Sequence, residues 1–285
     1  MQQDTKRGLT LIAPPLGYAV ALLAVPLIAI VIFSFWTQDY LTIDRTLSLR
    51  NYREALTDPI YGAIMLRSLG ISGSVTLITV MLAFPVAYFV SFRVPPAHKS
   101  LWLFLITIPF WTSYLLRIFL WKVILGYNGV VNSVLTGIGL IDEPLSWILY
   151  NANAVVITLS HAFAPFAILP IFVALEKIDR SLLEASRDLG ENAMTTFLRV
   201  TLPLAAPGVV AALLIVFIPT VGDYVTPAQV GGAGGTMIAN VIQAQFRDLN
   251  NAPLGAALSV LAMLIVTVLA LGTIWIARRL SGGRD

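Results

Sequence analysis

Side chains that could perform chemistry are few in this chain, and their types exclude several kinds of site. Charged residues make up only 12% of the 285 residues, and there is no cysteine. The absence of cysteine excludes structural disulfides, thiolate metal sites and a cysteine nucleophile. The two histidines, His98 and His161, are too few for a histidine-rich metal site. We therefore expect neither a catalytic site nor a metal site in this chain.

The charged residues gather in one segment, residues 176–203. Nine of the 33 charged residues lie there, namely Glu176, Lys177, Asp179, Arg180, Glu184, Arg187, Asp188, Glu191 and Arg199. Considered on physical grounds alone, the segment is either a solvated connection or a surface element with a specific role.

The same segment has the pattern of a short helix. Ser181 and Glu184 have the spacing of a capping box, which predicts that a helix starts at Ser181. Gly190 is placed to end that helix. Residues at helical spacing then form one face with small side chains. This face would carry Leu182, Ala185, Ser186 and Leu189.

The composition shows which elements must position these residues. Hydrophobic residues make up 58% of the chain and the mean hydropathy is +0.84, which excludes an ordinary soluble enzyme and a disordered chain. A membrane-spanning helix needs roughly 20 apolar residues. Six stretches qualify, at 9–35, 69–92, 101–125, 154–175, 204–221 and 254–276. We therefore predict an all-α integral membrane protein with six transmembrane helices.

The distribution of basic residues predicts the orientation of these helices. If both termini are cytoplasmic, the inner segments hold 11 of the 18 basic residues and the outer segments hold 6, with Arg117 inside a span. An excess of lysine and arginine marks the cytoplasmic side. The predicted topology is therefore N-in and C-in, with residues 176–203 in the cytoplasm.

Two further connections between spans carry local structure. Residues 126–146 surround the apolar run 130–135 with glycines, which suggests an interfacial helix. Residues 222–253 hold a glycine-rich run at 231–235 followed by a moderately apolar stretch at 237–246. This order predicts a tight turn and then a short helix. The glycine run is not a phosphate loop, because no Lys-Ser/Thr follows it.

The segment 176–203 resembles a known family signature. The residues Glu184-Ala185-Ser186, then Gly190, then Val200-x-Leu202-Pro203 resemble the EAA motif of ABC importer permeases. Ser186 stands for the second alanine of the motif and Val200 for its isoleucine. More of the chain resembles the spermidine/putrescine subfamily of these permeases. The matching blocks are Pro109-Phe110-Trp111-Thr112 with Arg117, Gly222-Asp223-Tyr224-Val225-Thr226-Pro227, Ile238-x-Asn240-x-Ile242 and Pro253-Leu254-Gly255-Ala256-Ala257.

The resemblance implies an architecture and a set of partners. It implies a type I ABC importer permease fold over a single domain, 1–285, in the bacterial inner membrane, with 176–203 as the cytoplasmic ATPase-coupling loop. It also implies a second, different permease subunit, two ATPase subunits that bind the ATP, and an extracytoplasmic substrate-binding protein. This chain would hold no cofactor, and it would contact lipid but no nucleic acid. The implied coupling residues are Glu184, Ala185, Ser186, Leu189 and Gly190.

The resemblance also directs attention to a possible solute path. Asp223 lies beside Tyr224 near the outer end of the fifth span, and a carboxylate beside aromatic rings suits a polyamine. Trp111 and Tyr114 could add aromatic surface from the third span. The alternatives are a helix cap or salt bridge for Asp223, and helix packing or an interfacial belt for the aromatic residues.

Positive charges argue for a different solute. Arg117 and Lys122 would repel a polycation if they faced the path, and would then favour an anionic solute. Alternatively, Arg117 pairs with a carboxylate or caps helix carbonyls, and Lys122 reaches the interface. His161 is expected to pack or to form hydrogen bonds.

Other solutes and other kinds of membrane protein compete with this hypothesis. The same machinery could import an opine, Fe(III) or an organic anion. An ion-coupled secondary transporter would usually show inverted repeats and several buried carboxylates, and an intramembrane hydrolase would need a catalytic pair or metal motif. Neither pattern is present in the sequence.

Overall fold

Helices make up most of the part of the chain that the computed structural model describes, residues 2–40 and 42–280. In order they are α1 (Gln2–Ser34), α2 (Arg50–Thr57), α3 (Pro59–Phe92), α4 (Pro96–Thr107), α5 (Tyr114–Ile124), α6 (Val130–Gly137), α7 (Ala152–Glu176), α8 (Arg180–Asp188), α9 (Ala193–Thr196), α10 (Leu202–Val221), α11 (Ile238–Arg247) and α12 (Ala252–Leu280). Short 3-10 segments lie at Ile108–Trp111, Ser146–Ile148 and Ala233–Gly235, and π-helical turns lie at Phe197–Thr201 and Pro227–Gly231. The strands β1 (Thr37–Asp39) and β2 (Thr42–Asp44) form an antiparallel hairpin in which Thr37 pairs with Asp44.

Five of the described helical stretches are long and apolar enough to span a membrane. They are Ile12–Ser34, Pro59–Phe92, Ala152–Glu176, Ala193–Val221 and Ala252–Arg279. The predicted third stretch, 101–125, is instead two helical pieces, Pro96–Trp111 and Tyr114–Ile124, bent by 85°. Counting that bent pair as one span gives six. The number six and the N-in, C-in orientation therefore remain predictions.

The bend has a local cause in the backbone. Thr112 has ψ 150° and Ser113 has ψ 135°, so two successive residues leave the helical conformation. Pro109, in the 3-10 turn just before them, supplies no backbone N–H to continue the hydrogen-bond ladder. The helix therefore ends at this point, and α5 starts in a new direction.

The chain divides into two compact units, and the first comprises residues 1–62 and 241–264. Its polar part is organised by Asn51, at the start of α2. The buried Asn51 amide donates to the carbonyl of Ser34 at 3.1 Å and to that of Trp36 at 2.6 Å. These bonds hold α2 against the end of α1. A small apolar cluster in the same unit joins Ala55, Leu254 and Leu258.

The second unit comprises residues 63–240 and 265–285, and α7 lies at its centre. Four large side chains of α7 are almost completely buried: Val155, Leu159, Ile171 and Leu175. The principal neighbour of α7 is α10. The two helices approach closely at Gly208, where a Cβ atom would lie 2.4 Å from the Ala174 Cβ. Small residues at such crossings are typical of membrane helix packing.

The predicted connections between spans also form local structure. The apolar run at 130–135 lies in α6, and the stretch at 237–246 lies in α11. Between the latter and α10, Gly232 adopts φ +53°, a left-handed conformation that glycine adopts readily. A Cβ there would also lie 2.4 Å from the Tyr150 carbonyl oxygen. The tight turn and the following short helix are thus confirmed.

Candidate functional site

The helix of the charged segment is α8, and its first turn corrects one prediction. The N-cap is Asp179, whose carboxylate accepts the N–H of Ser181 at 3.0 Å. Ser181 is therefore inside the helix, and the predicted start at Ser181 is wrong. A carboxylate at the N-cap satisfies a free N–H and also interacts favourably with the helix dipole. The same backbone hydrogen bond lowers the pKa of Asp179.

The end of α8 agrees with the prediction for Gly190. This residue has φ +84°. The Gly190 N–H donates to the carbonyl of Arg187 at 2.9 Å, and the Glu191 N–H donates to that of Ser186 at 3.2 Å. This pair of bonds is a Schellman motif, which needs a left-handed residue at this position. The direction of the chain after α8 therefore depends on a conformation that suits glycine.

The predicted coupling residues divide between the surface and the interior. Glu184, Ala185 and Leu189 are exposed, and Leu189 is 85% exposed. Ser186 is buried, and its hydroxyl lies 2.9 Å from the Thr196 hydroxyl. The side chains of Glu184, Ala185 and Leu189 are thus available to a partner, and Gly190 is exposed as well, whereas Ser186 attaches α8 to the segment that leads into α10.

A first test concerns the turn at Gly190. Gly190→Val should impair transport and leave membrane insertion intact, because a left-handed backbone costs a Cβ-bearing residue about 1 kcal/mol or more. Apart from the two chain neighbours, no atom of the described residues lies within 4 Å of the added Cβ position, so the effect should come from the backbone alone. Asparagine tolerates this conformation better than valine. Uptake should therefore fall more in Gly190→Val than in Gly190→Asn at equal membrane content, and equal uptake in the two variants would show that the turn is not needed.

The second group of predicted residues meets around Asp223, which is only 9% exposed. Its Oδ1 accepts the N–H of Val225 at 2.8 Å and that of Thr226 at 3.3 Å. Its Oδ2 accepts the hydroxyl of Thr226 at 2.6 Å and that of Tyr114 from α5. The carboxylate thus caps the short helical segment that follows it and connects this segment to α5. Four neutral donors surround the charge.

The structure brings Tyr114 to this site and leaves the other predicted aromatic residues outside the hydrogen-bonded group. Trp111 lies at the break between α4 and α5 and is 79% exposed, and its ring makes a T-shaped contact with that of Phe104. Tyr224 is 43% exposed, and its carbonyl accepts the side-chain amide of Asn240 at 2.7 Å. Both rings are therefore free to contact lipid, another chain or a solute.

Thr226 was not predicted to be part of the site. Its hydroxyl also lies 2.9 Å from that of Tyr114. The spacing Asp223-x-x-Thr226 is that of an N-cap and its third helical residue, so the local sequence did contain a signal for capping. Nothing local, however, indicates Tyr114 as a partner at a separation of 109 residues.

Arg117 differs from the other charged residues of this region because its side chain is buried and poorly hydrogen-bonded. It is 8% exposed, and its Nε and Nη1 have no hydrogen-bond partner among the described residues. The guanidinium lies 5.4 Å from the ring centre of Phe110 and 5.8 Å from that of Tyr114, which are cation–π distances. Ionisable residues at membrane depth are usually paired. The predicted carboxylate partner for Arg117 is therefore not found in this part of the chain.

The other ionisable residues near α5 have ordinary partners. The Lys122 ammonium donates to the side chain of Gln229 at 3.3 Å. The His161 Nδ1 accepts the indole N–H of Trp121 at 3.1 Å, as expected for a packing and hydrogen-bonding residue. Among the residues that the structure describes, no three His, Cys, Asp or Glu side chains gather as metal ligands would.

Comparisons with known proteins identify the family. The family described as "binding-protein-dependent transport system inner membrane component" matches residues 15–282. The spermidine/putrescine transport system permease protein PotB of Salmonella typhimurium (strain LT2) is 37% identical over 281 residues, which are 98% of this chain and 96% of that protein. PotB of Haemophilus influenzae is 36% identical over 86% of this chain and 85% of its own length. The inner membrane ABC transporter permease protein YdcU of Escherichia coli is 33% identical over 82% of this chain and 78% of its own length.

Solved structures show the same fold at low sequence identity. A bacterial ABC transporter involved in the import of the acidic polysaccharide alginate contains a chain with TM-score 0.73 and 17% identity, and the match covers 98% of both chains. A chain of the MetNI methionine ABC transporter has TM-score 0.57 and 19% identity over 75% of this chain and 93% of its own. The chain described here therefore belongs to the family of binding-protein-dependent transport system inner membrane components, and it is a multi-pass permease of the bacterial inner membrane.

Proposed function

We propose that this chain is a permease subunit of an ATP-driven importer whose solute is a polyamine, spermidine or putrescine. The observation that carries the proposal is the 37% identity with the PotB permeases over almost the whole of both chains. A match over 98% of this chain extends far beyond the 20 residues of the EAA motif. In this proposal the chain forms one permease domain with six spans, in the type I importer arrangement, and both termini are cytoplasmic.

We also infer the partners from the family. A second and different permease subunit would complete the path, a binding protein would deliver the solute, and two ATPase subunits would supply the energy. The sequence contains no Gly-x4-Gly-Lys-Ser/Thr, so ATP would bind to the partners and not to this chain. Glu184, Ala185 and Leu189 would contact the ATPase, while Ser186 and Gly190 would fix the position of α8.

A second candidate keeps the machinery and changes the solute to an organic anion. The observation that favours it is the buried guanidinium of Arg117, close to the Tyr114 ring that contacts Asp223. Its Nε and Nη1 have no hydrogen-bond partner within residues 2–40 and 42–280. If this cation faced the path, it would attract an anion and repel a polyamine.

Uptake assays distinguish the two candidates. The permease pair would be expressed with its cognate ATPase and binding protein in a host that lacks its own polyamine uptake. The proposal expects ATP-dependent accumulation of labelled spermidine or putrescine that is lost when this chain is omitted. Accumulation of a labelled dicarboxylate, without either polyamine, would overturn the polyamine assignment and favour the second candidate.

A further inference from the structure

A partly buried polar cluster joins the start of α8 to two helices that are not its neighbours in the sequence. We call its four residues, Ser91, Lys99, Glu176 and Arg180, the α8 anchor. One oxygen of Glu176, at the end of α7, accepts the Lys99 ammonium from α4 at 2.6 Å and the Ser91 hydroxyl from α3 at 2.6 Å. Arg180, the first residue of α8, donates to the Ser91 carbonyl at 3.4 Å. The ends of α3, α4, α7 and α8 therefore meet in one hydrogen-bonded group.

The burial of the ion pair makes it different from an ordinary surface contact. The Lys99 side chain is 12% exposed and that of Glu176 is 34% exposed. Exposed ion pairs contribute little, because water and salt screen them. A pair that is partly removed from water and shares a third hydrogen-bonding partner is held in a defined geometry. The α8 anchor is thus a fixed connection between helices.

The chain between the anchor and α8 is short and is itself held in place. Only three residues, 177–179, separate α7 from α8. Of these, Ile178 is 8% exposed and belongs to the main hydrophobic core. Because this connection is not a flexible loop, a displacement of α8 must also move the end of α7 and the groups bound to it.

The other end of α8 is attached differently. There the Glu191 carboxylate accepts from Arg199 at 2.8 Å, and the Arg199 side chain is 72% exposed. This second pair joins the residues just after α8 to the π-helical turn Phe197–Thr201, which leads into α10. The two glutamates thus offer a comparison. Glu176, separated from α8 only by residues 177–179, ties the end of α7 to the distant helices α3 and α4, whereas Glu191 ties the end of α8 only to a turn that follows it closely in the sequence.

We propose that Glu176 and Lys99 are positioning residues for energy coupling. Displacement of α8 reaches α7 and α10 along the chain, and these two residues also transmit it to α3 and α4. The inference rests on the proposed function, in which an ATPase acts on α8. Because coupling between two binding sites is reciprocal, the same connection would carry the signal of a docked binding protein back to the ATPase. Loss of the connection should therefore uncouple docking of the binding protein from ATP hydrolysis without preventing assembly of the complex.

The test uses the purified complex of both permease subunits, the ATPase and the binding protein, and it needs no knowledge of the solute. ATP hydrolysis would be measured with and without the binding protein. Glu176→Gln and Lys99→Met should keep the yield of the complex and the basal hydrolysis, while stimulation by the binding protein falls about fivefold or more. Glu191→Gln, the matched control at the other end of α8, should change the stimulation less than twofold.

Three results bear on the inference in different ways. Restoration of stimulation by the exchanged pair, Lys99→Glu with Glu176→Lys, would support it. Unchanged stimulation in Glu176→Gln would overturn it, and so would a proportional loss of yield, basal hydrolysis and stimulation.

If Glu176→Gln does not fold, Ser91→Ala provides a second variant. It removes one hydrogen bond to the same oxygen and keeps the Ser91 carbonyl, and stimulation in that variant should fall about twofold at unchanged yield. Failure of the unmodified chain to assemble with the ATPase would instead contradict the proposed function.

Discussion

Replacement of Gly208 by leucine is expected to prevent α7 and α10 from packing and so to abolish the folded permease. Even the single Cβ of alanine would lie 2.4 Å from the Ala174 Cβ and 2.6 Å from the carbonyl oxygen of Pro170. Because the second of these atoms belongs to the backbone, it cannot turn away, and the helices must separate. Forcing extra carbon into a well-packed core costs about 1–3 kcal/mol, and leucine adds three more carbons than alanine.

The matched control is Gly70 in α3. Apart from the nearby backbone of α3 itself, no atom in the described part of the chain lies within 4 Å of its Cβ position. Thermal unfolding in detergent and the yield of monodisperse protein would be measured for both sites. Gly208→Ala should lower the melting temperature and Gly208→Leu should give no stable protein, whereas Gly70→Ala should match the unmodified chain. Equal stability of the Gly208 and Gly70 variants would mean that α7 and α10 do not pack as described.

The second large effect is expected at Asp223, where leucine should destabilise the protein and asparagine should not. Leucine leaves two N–H groups without their acceptor, and it leaves at least one of the hydroxyls of Tyr114 and Thr226 without one, since these two hydroxyls lie 2.9 Å apart and only one can donate to the other. An unsatisfied buried donor costs about 1–3 kcal/mol, so the summed loss is comparable to the whole stability of many proteins. Asparagine keeps one oxygen for the two N–H groups, while its NH2 group replaces the oxygen that accepts the hydroxyls of Thr226 and Tyr114. Because a hydroxyl can rotate and accept as well as donate, both hydroxyls can accept from that NH2 group. Unfolding measurements on both variants test this difference.

The asparagine variant then separates the charge of Asp223 from its capping role. Asp223 is the only acidic residue that is buried in the part of the chain described here. At an effective dielectric constant near 20 and a distance of roughly 8 Å, its attraction for one positive charge is about 2 kcal/mol. Even a fraction of this attraction should lower polyamine uptake about threefold in Asp223→Asn. Normal uptake would show that Asp223 is a helix cap only, and a gain of uptake of an organic anion would contradict the polyamine assignment.

Local patterns in the sequence were sufficient to predict several elements of the fold. The glycine at position 190 and the turn before α11 follow from residue types within a few positions, and the structure has both. The start of α8 was missed because Asp179 and Ser181, two residues apart, are both good N-cap residues. In the structure the Asp179 carboxylate accepts the Ser181 N–H and is the N-cap. The helix α3 starts at Pro59, ten residues before the predicted stretch. The prediction searched for runs of apolar residues, so it left out polar residues such as Arg67 that belong to the same helix.

Contacts between distant parts of the chain could not be predicted in this way. Tyr114 meets Asp223 across 109 residues, and Lys99 meets Glu176 across 77. A single sequence carries no signal for either pair. The 85° bend after α4 was also missed, because hydropathy is the same whether an apolar stretch is straight or broken. The size of the bend depends on the backbone conformation of Thr112 and Ser113, which residue types alone do not determine.

The most direct measurement of the central claim, that α8 is where the ATPase acts on this permease, is a crosslink from Ala185. Because the chain has no cysteine, Ala185→Cys introduces its only thiol, which would carry a photoactivatable maleimide. Ala185 is exposed on α8, and Leu47, in the predicted outer segment, is 79% exposed and serves as the matched control site. The account predicts a crosslink to the ATPase subunit from position 185 and none from position 47. A probe at position 185 that never reaches the ATPase in a complex active in transport would contradict it.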